Sequence, residues 1–190
     1  MLGNPAARVR LIEYASYTCP HCAHFSAESS AALRTRYIAP GRVAFEFRHL
    51  VRDPVDFAMA VAANCGPASG FFARSDALFA QQTAIINRVR ALPEERVAQW
   101  RLAPEGQRLL RVAQDTGIDV WMRGRGLTAA QVNACLTDQA LQQRLIAMTN
   151  GASQRGVNST PSFLLNDVLQ GPHEWGELQP ALDAAVTGGA

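Results

Sequence analysis

Apolar positions along this chain recur with two different periods. Val9, Leu11, Ile12 and Tyr14 form a near-continuous run after a loose lead-in over 1–7, the pattern of a strand buried on both faces. Val43, Phe45 and Phe47 alternate with Ala44, Glu46 and Arg48, which predicts a second strand over 42–49. His49 and Leu50 close it, with His49 read as structural. Between the strands, Phe25, Leu33 and Tyr37 mark the core-facing side of a helix over about 20–38, ended by Pro40-Gly41.

From Asp53-Pro54 onward the helical period takes over. Asp53 reads as an N-cap with Pro54 at the first helical position. That helix runs to about Cys65 and stops at Gly66-Pro67. Another follows Ser69, with Phe71, Phe72, Leu78 and Phe79 apolar. Pro93-Glu94-Glu95 and Pro104-Glu105 repeat a helix-start signal, proline followed by acid in the first turn. Thr128-Ala129-Ala130-Gln131 is a capping box, with Leu127 and Val132 placed for a hydrophobic staple. The helix it opens is expected to run to about Gly151 or beyond. Trp100, Trp121 and the Phe71-Phe72 pair read as core. No strand pattern occurs over 54–140, and there is no repeat or low-complexity linker.

Strand signals return at Ser162-Phe163-Leu164-Leu165. Asn166-Asp167 is expected to turn this segment into Val168-Leu169, a hairpin at the sheet edge, before Gly171-Pro172 breaks the chain. Trp175, Leu178, Leu182 and Val186 then mark a last helix, ending at Gly188-Gly189.

Composition narrows the function classes. With 190 residues and 48% hydrophobic content, the chain can bury a real core, as one domain or one domain with an insertion. A net charge of +2 argues neither for nor against nucleic acid, and no nucleic-acid partner is expected. All 18 basic residues are arginine. This excludes a Schiff-base or P-loop lysine and reflects coding bias rather than mechanism. No apolar run approaches the roughly 20 residues that span a membrane. Met1 is followed almost at once by Gly3-Asn4-Pro5, so no signal peptide is visible; if the protein is exported, this chain is a mature or trimmed form.

The chemistry concentrates at Cys19-Pro20-His21-Cys22, between the first strand and the first helix. A Cys-x-x-Cys pair at such a junction points to thioredoxin-like redox chemistry. The amides and dipole of the helix N-terminus stabilise a thiolate and lower its pKa. Pro20 suits the first turn, where its missing N–H has no intrahelical partner, and His21 can add charge or a hydrogen bond. Glu13 lies inside the apolar run. Burial there would raise its pKa and fit it to exchange a proton with Cys22; the bland alternative points it to solvent at a strand edge. Thr160-Pro161 precedes the third strand. A cis bond there would bring the Thr160 backbone against the dithiol and leave its N–H and C=O to pair with an extended peptide.

Other readings compete. A zinc site would need two more ligands at similar spacing, and Cys65 and Cys135 are single and far apart, so no metal site is expected. A metal-binding or chaperone-like module would use Cys19, Cys22 and His24. Haem attachment would need histidine directly after Cys22, where Ala23 stands. Closing the tight Cys19–Cys22 loop for structure alone would gain little entropy. In an oxidising compartment Cys65 and Cys135 could form a structural disulfide; otherwise they are buried, inert thiols.

These features together resemble the DsbA family of thioredoxin-like thiol–disulfide oxidoreductases. The resemblance rests on Glu13-Tyr14-Ala15-Ser16-Tyr17-Thr18-Cys19-Pro20-His21-Cys22 and on Gly156-Val157-Asn158-Ser159-Thr160-Pro161-Ser162-Phe163. The helical stretch between them and the final hairpin and helix extend it over essentially the whole chain. It implies an α/β thioredoxin-like fold: a central mixed sheet flanked by helices, over 1–53 and 141–190, with an all-helical domain inserted over 54–140. It implies Cys19 as an exposed nucleophile, Cys22 as the buried resolving thiol and His21 as the stabiliser of the Cys19 thiolate. Glu13 corresponds to a buried acid, Pro161 to a cis-proline and Thr160 to a substrate-contacting residue. Cys65 and Cys135 match an extra disulfide found in part of the family. The activity implied is a disulfide oxidase for folding exported proteins, with no cofactor, acting as a periplasmic or otherwise exported monomer reoxidised by a quinone-linked membrane partner. Threonine before the proline also occurs in related isomerases, which leaves a reductase or isomerase open.

Overall fold

The structure, a computed structural model, describes residues 1–170 and 174–188. The chain break expected at Gly171-Pro172 and the helix end at Gly189 lie outside the described residues. The chain divides into two compact units, Met1–Leu50 with Met148–Ala190, and Val51–Ala147. The reading from sequence placed the divisions after 53 and after 140.

The first unit is built on four strands, β1 (Val9–Ala15), β2 (Val43–His49), β3 (Ser162–Leu165) and β4 (Val168–Gln170), in the order β2-β1-β3-β4. β1 runs parallel to β2 and antiparallel to β3, so the sheet is mixed. The central position of β1 explains its apolar run: it is covered on both faces. Side chains alternate across a strand, which divides the sheet residues in two. Ile12, Tyr14 and Leu164 pack with Leu50, Ala152 and Val157 on one face. Glu13 lies on the other, level with Phe47 of β2 and Phe163 of β3.

That second face is covered by α1 (Pro20–Ala32) and α9 (Trp175–Thr187). Phe25 of α1 meets Phe163 with ring centroids 4.5 Å apart and Trp175 at 6.1 Å. Such aromatic pairs contribute roughly 0.5–1.5 kcal/mol beyond their buried area. The helix expected to reach residue 38 does so in a changed form, as Leu33–Ile38 is a π-helical segment. There the Ala39 N–H donates to Arg34 O, five residues back, at 2.8 Å. The wider turn brings Tyr37 to Asp183 of α9, with its hydroxyl donating at 2.6 Å. Asn166 and Asp167 turn β3 into β4 with φ values of 49° and 65°, the left-handed pair a tight hairpin needs.

The second unit is helical. It contains α2 (Pro54–Asn64), α3 (Phe71–Arg90), α4 (Glu94–Leu102), α5 (Arg108–Thr116), α6 (Ile118–Arg123) and α7 (Ala129–Leu136), and no strand among the described residues. The Asp53 side chain accepts from the amides of Val55 and Asp56, and the Thr128–Gln131 capping box is complete. Pro104 opens only a single 3-10 turn before α5. The helix from Thr128 does not run to Gly151. It ends at Leu136, and α8 starts afresh at Gln139 and continues to Ser153. The cause is local: Asp138 Oδ1 accepts from the Leu141 N–H at 3.0 Å, the bond of an N-cap. The division between the two units falls inside α8.

Cys65, just after α2, is bonded to Cys135 of α7. The bridge spans 70 residues of sequence, and cross-linking so long a loop removes entropy from the unfolded chain worth up to about 4 kcal/mol. Replacing both cysteines by alanine is therefore expected to lower the thermal midpoint of the helical unit by several degrees, read by calorimetry of the whole protein. An unchanged midpoint would mean that the bridge adds no constraint.

Candidate active site

Cys19 is the N-cap of α1, in an extended conformation with Pro20 next in the chain. Its carbonyl accepts the first helical bond, from Ala23 N–H at 3.2 Å. Its sulfur therefore sits at the positive end of the helix, where an anion is favoured. Cys22 lies one turn on and is fully buried. The two thiols are not bonded to each other.

The Thr160–Pro161 peptide bond is cis. Thr160 O faces the dithiol and accepts from Cys19 Sγ at 3.2 Å. This closure changes one expectation: Cys19 is 2% exposed, not open to solvent. The Thr160 hydroxyl is itself buried, with no hydrogen-bond partner among the described residues. It can turn its proton to the Cys19 sulfur once that sulfur ionises.

The two thiols are driven apart in acidity. Cys19 is drawn down to about 5, chiefly by the hydrogen bond from the Cys22 side chain. Burial opposes that shift, while Thr160 and the backbone of Cys22 and His21 assist it. The His21 imidazole is exposed, and it is the residue's backbone that bears on the thiolate. Cys22 is pushed strongly up, first by burial, then by its bond to Cys19 and by the charges of Glu13 and Cys19. Glu13 is 4% exposed on the sheet face beneath α1, which excludes the solvent-edge alternative.

Sequence reasoning missed two residues here, Ser16 and Ser162. Ser16 shapes the turn before Cys19: its hydroxyl accepts from Thr18 N–H and its carbonyl from Cys19 N–H, both at 3.2 Å. Ser162 donates from its hydroxyl to Ser159 O at 2.7 Å in the opposing turn. His49 packs against the rings of Tyr17 and Phe47, and burial pushes its imidazole down to about 3, so it is neutral. A serine two residues before the amide it accepts from is a readable turn signal; nothing in the sequence marks Ser162, whereas His49 is buried in line with its structural reading. Among the described residues no group of three His, Cys, Asp or Glu side chains could hold a metal ion. His24 pairs instead with Glu28 at 3.2 Å.

The family model described as Thioredoxin matches residues 1–184. The chain belongs to the thioredoxin family. Within it, the chain is similar to a structure titled protein-disulfide isomerase from Novosphingobium aromaticivorans: TM-score 0.93, 37% identity, covering 98% of this chain and 96% of that one. The fold is also that of Wolbachia pipientis alpha-DsbA1, with TM-score 0.75 and 20% identity over 97% of this chain and 89% of that one. A Rickettsia bellii protein, provisionally named a protein-disulfide oxidoreductase, is 26% identical over 98% of this chain. The chain spans 64% of that relative's length and 59% of the Rickettsia felis counterpart.

A depressed thiol pKa has a definite pH signature in this thioredoxin-family site. In the reduced protein Cys19 ionises near 5, against about 8.5 in an unfolded chain. Its contribution to stability is complete above about 8.5 and is lost as pH falls through about 5. The oxidised form has no such group. The midpoint of reduced protein minus that of oxidised protein should therefore rise with pH across this window. Thiolate absorbance of the reduced protein should titrate near pH 5, and both Cys22→Ala and Thr160→Val should move that titration upward. A flat difference, or a titration near the ordinary thiol value, would contradict the arrangement described.

Proposed function

We propose that this chain is a protein thiol–disulfide oxidoreductase that works as a disulfide donor. The observation that carries this reading is the opposed displacement of the two thiols, Cys19 down and Cys22 up. A stabilised thiolate is a good leaving group and stabilises the reduced protein, so its disulfide is readily given away. Each pKa unit corresponds to about 1.4 kcal/mol, or roughly 30 mV for a two-electron couple.

The reaction begins with the Cys19–Cys22 disulfide. A substrate thiolate attacks the Cys19 sulfur, a mixed disulfide forms, and Cys22 leaves as a thiolate. Its raised pKa means that it takes a proton, and Glu13 is the buried carboxyl placed beneath α1 to supply one. A second substrate thiolate then attacks its partner sulfur in the mixed disulfide and releases Cys19. The substrate loses two electrons and two protons. The protein gains two electrons and keeps one proton on Cys22, and the second goes to solvent because Cys19 remains a thiolate. Thr160 and Pro161 lie beside the reacting sulfur, where an extended substrate would pair with the Thr160 backbone.

The partners proposed are reduced, folding proteins outside the reducing cytosol, with a quinone-linked membrane protein as reoxidant and the chain acting as a monomer. The Cys65–Cys135 bond supports an oxidising compartment, since such bonds persist there. A second reading, isomerase or reductase, is favoured by the name of the Novosphingobium relative. It uses the same pair kept reduced.

Two assays separate these readings. The oxidised protein should oxidise an unfolded, reduced substrate stoichiometrically, and Cys19→Ser should abolish this. Cys22→Ala should accumulate a mixed disulfide at Cys19 when supplied with glutathione disulfide. Retained oxidation by Cys19→Ser would contradict the mechanism. Fast recovery of a scrambled substrate by the reduced protein, without net oxidation of reduced substrate, would favour the isomerase.

A further inference from the structure

Tyr14 opposite Ser162 is the last paired position between β1 and β3. Beyond it the two strands diverge into separate turns, 15–19 and 159–162, which meet again where Cys19 Sγ approaches Thr160 O at 3.2 Å. Each turn is closed by a buried serine hydroxyl. Ser16 is 1% exposed and Ser162 is 4% exposed. Ser16 Oγ accepts from Thr18 N–H at 3.2 Å and lies 3.2 Å from Thr18 Oγ1, and Ser16 O accepts from Cys19 N–H. Across the gap, Ser162 Oγ donates to Ser159 O at 2.7 Å, with the Ser159 hydroxyl at 3.5 Å.

We infer that Ser16 and Ser162 are paired positioning residues. They hold the dithiol turn and the Thr160 turn in the mutual register that sets the charge state of Cys19. Neither hydroxyl touches a reacting sulfur. Their effect is geometric: a hydrogen bond to a sulfur anion weakens steeply with misalignment, so freeing either turn draws the Thr160 hydroxyl, the thiolate's donor in that turn, out of line and loosens the amides around the thiolate. The Ser16 backbone also bears on Cys22, where it favours the thiolate against burial and nearby negative charge. One residue thus touches the geometry of both sulfurs.

The inference rests on the redox reading of Cys19–Cys22, and its test separates the two. Threonine and valine have nearly the same shape and differ by the hydroxyl. Ser16→Thr, Ser16→Val, Ser162→Thr and Ser162→Val, with the two alanine variants, are each titrated for Cys19 ionisation. Each is also equilibrated with glutathione, in which two glutathione thiols reduce the protein disulfide and become glutathione disulfide. The valine and alanine variants should ionise at higher pH, and their equilibrium constant for reduction should fall roughly threefold to tenfold, the worth of one hydrogen bond. The threonine variants should stay near wild type. Tyr37→Phe, which removes the bond to Asp183, should lower thermal stability and leave both readouts unchanged.

The two serines are tested separately, so loss of folding in one alanine variant leaves the other and the threonine–valine comparisons standing. Valine and alanine variants with wild-type ionisation and equilibrium would overturn the inference alone. So would an equal shift in Tyr37→Phe, because the effect would then follow stability. A wild-type pair that does not exchange with glutathione would overturn the redox reading and this inference with it.

Discussion

The contact between Cys19 Sγ and Thr160 O joins residues 141 apart in the sequence, and much of the first unit serves to make it. β1 delivers Cys19 and β3 receives the chain after Thr160. The two strands are neighbours in the sheet because β1 takes the central place between β2 and β3. Burial of β1 on both faces fixes its register, since a slip of one residue would turn Glu13 and its apolar neighbours to the opposite faces. α1 then starts immediately beyond β1, with Cys19 as its N-cap. The aromatic contacts of Phe25 with Phe163 and Trp175 hold that helix on the sheet.

Given that frame, the chemistry follows from unequal surroundings. Both cysteines are buried, yet they are affected in opposite senses. Cys19 collects hydrogen bonds at the positive end of a helix. Cys22 meets burial and the negative charge of Glu13. The bond between them works in both directions at once, favouring the anion on Cys19 by holding the proton on Cys22. A pair poised in this way has a stable dithiol form and a disulfide that is correspondingly easy to transfer.

The parts that could be read from the chain were those set by local pattern. The run before Cys19, the alternation over 43–47, the cap at Asp53 and the capping box at Thr128 each carry their own physical reason within a few residues. Thr160-Pro161 became legible only beside the Cys-x-x-Cys pair. The π-helical turn after α1 left no mark, because one extra residue per turn hardly disturbs the spacing of Leu33 and Tyr37. The break between α7 and α8 rested on Asp138, whose capping role is hidden within a polar stretch. The burial of Cys19 depends on a loop that arrives from the far end of the chain. For the same reason, the proximity of the two serine-closed turns could not be seen in either segment alone.

The account is tested most directly by the equilibrium of the wild-type Cys19–Cys22 pair against glutathione buffers of known poise. A thiolate stabilised as described predicts a potential well above the thioredoxin value of roughly −270 mV, with the reduced form favoured. A potential at or below that value would contradict it. The pair would then hold its disulfide rather than give it away, and the depressed pKa attributed to Cys19 would be wrong.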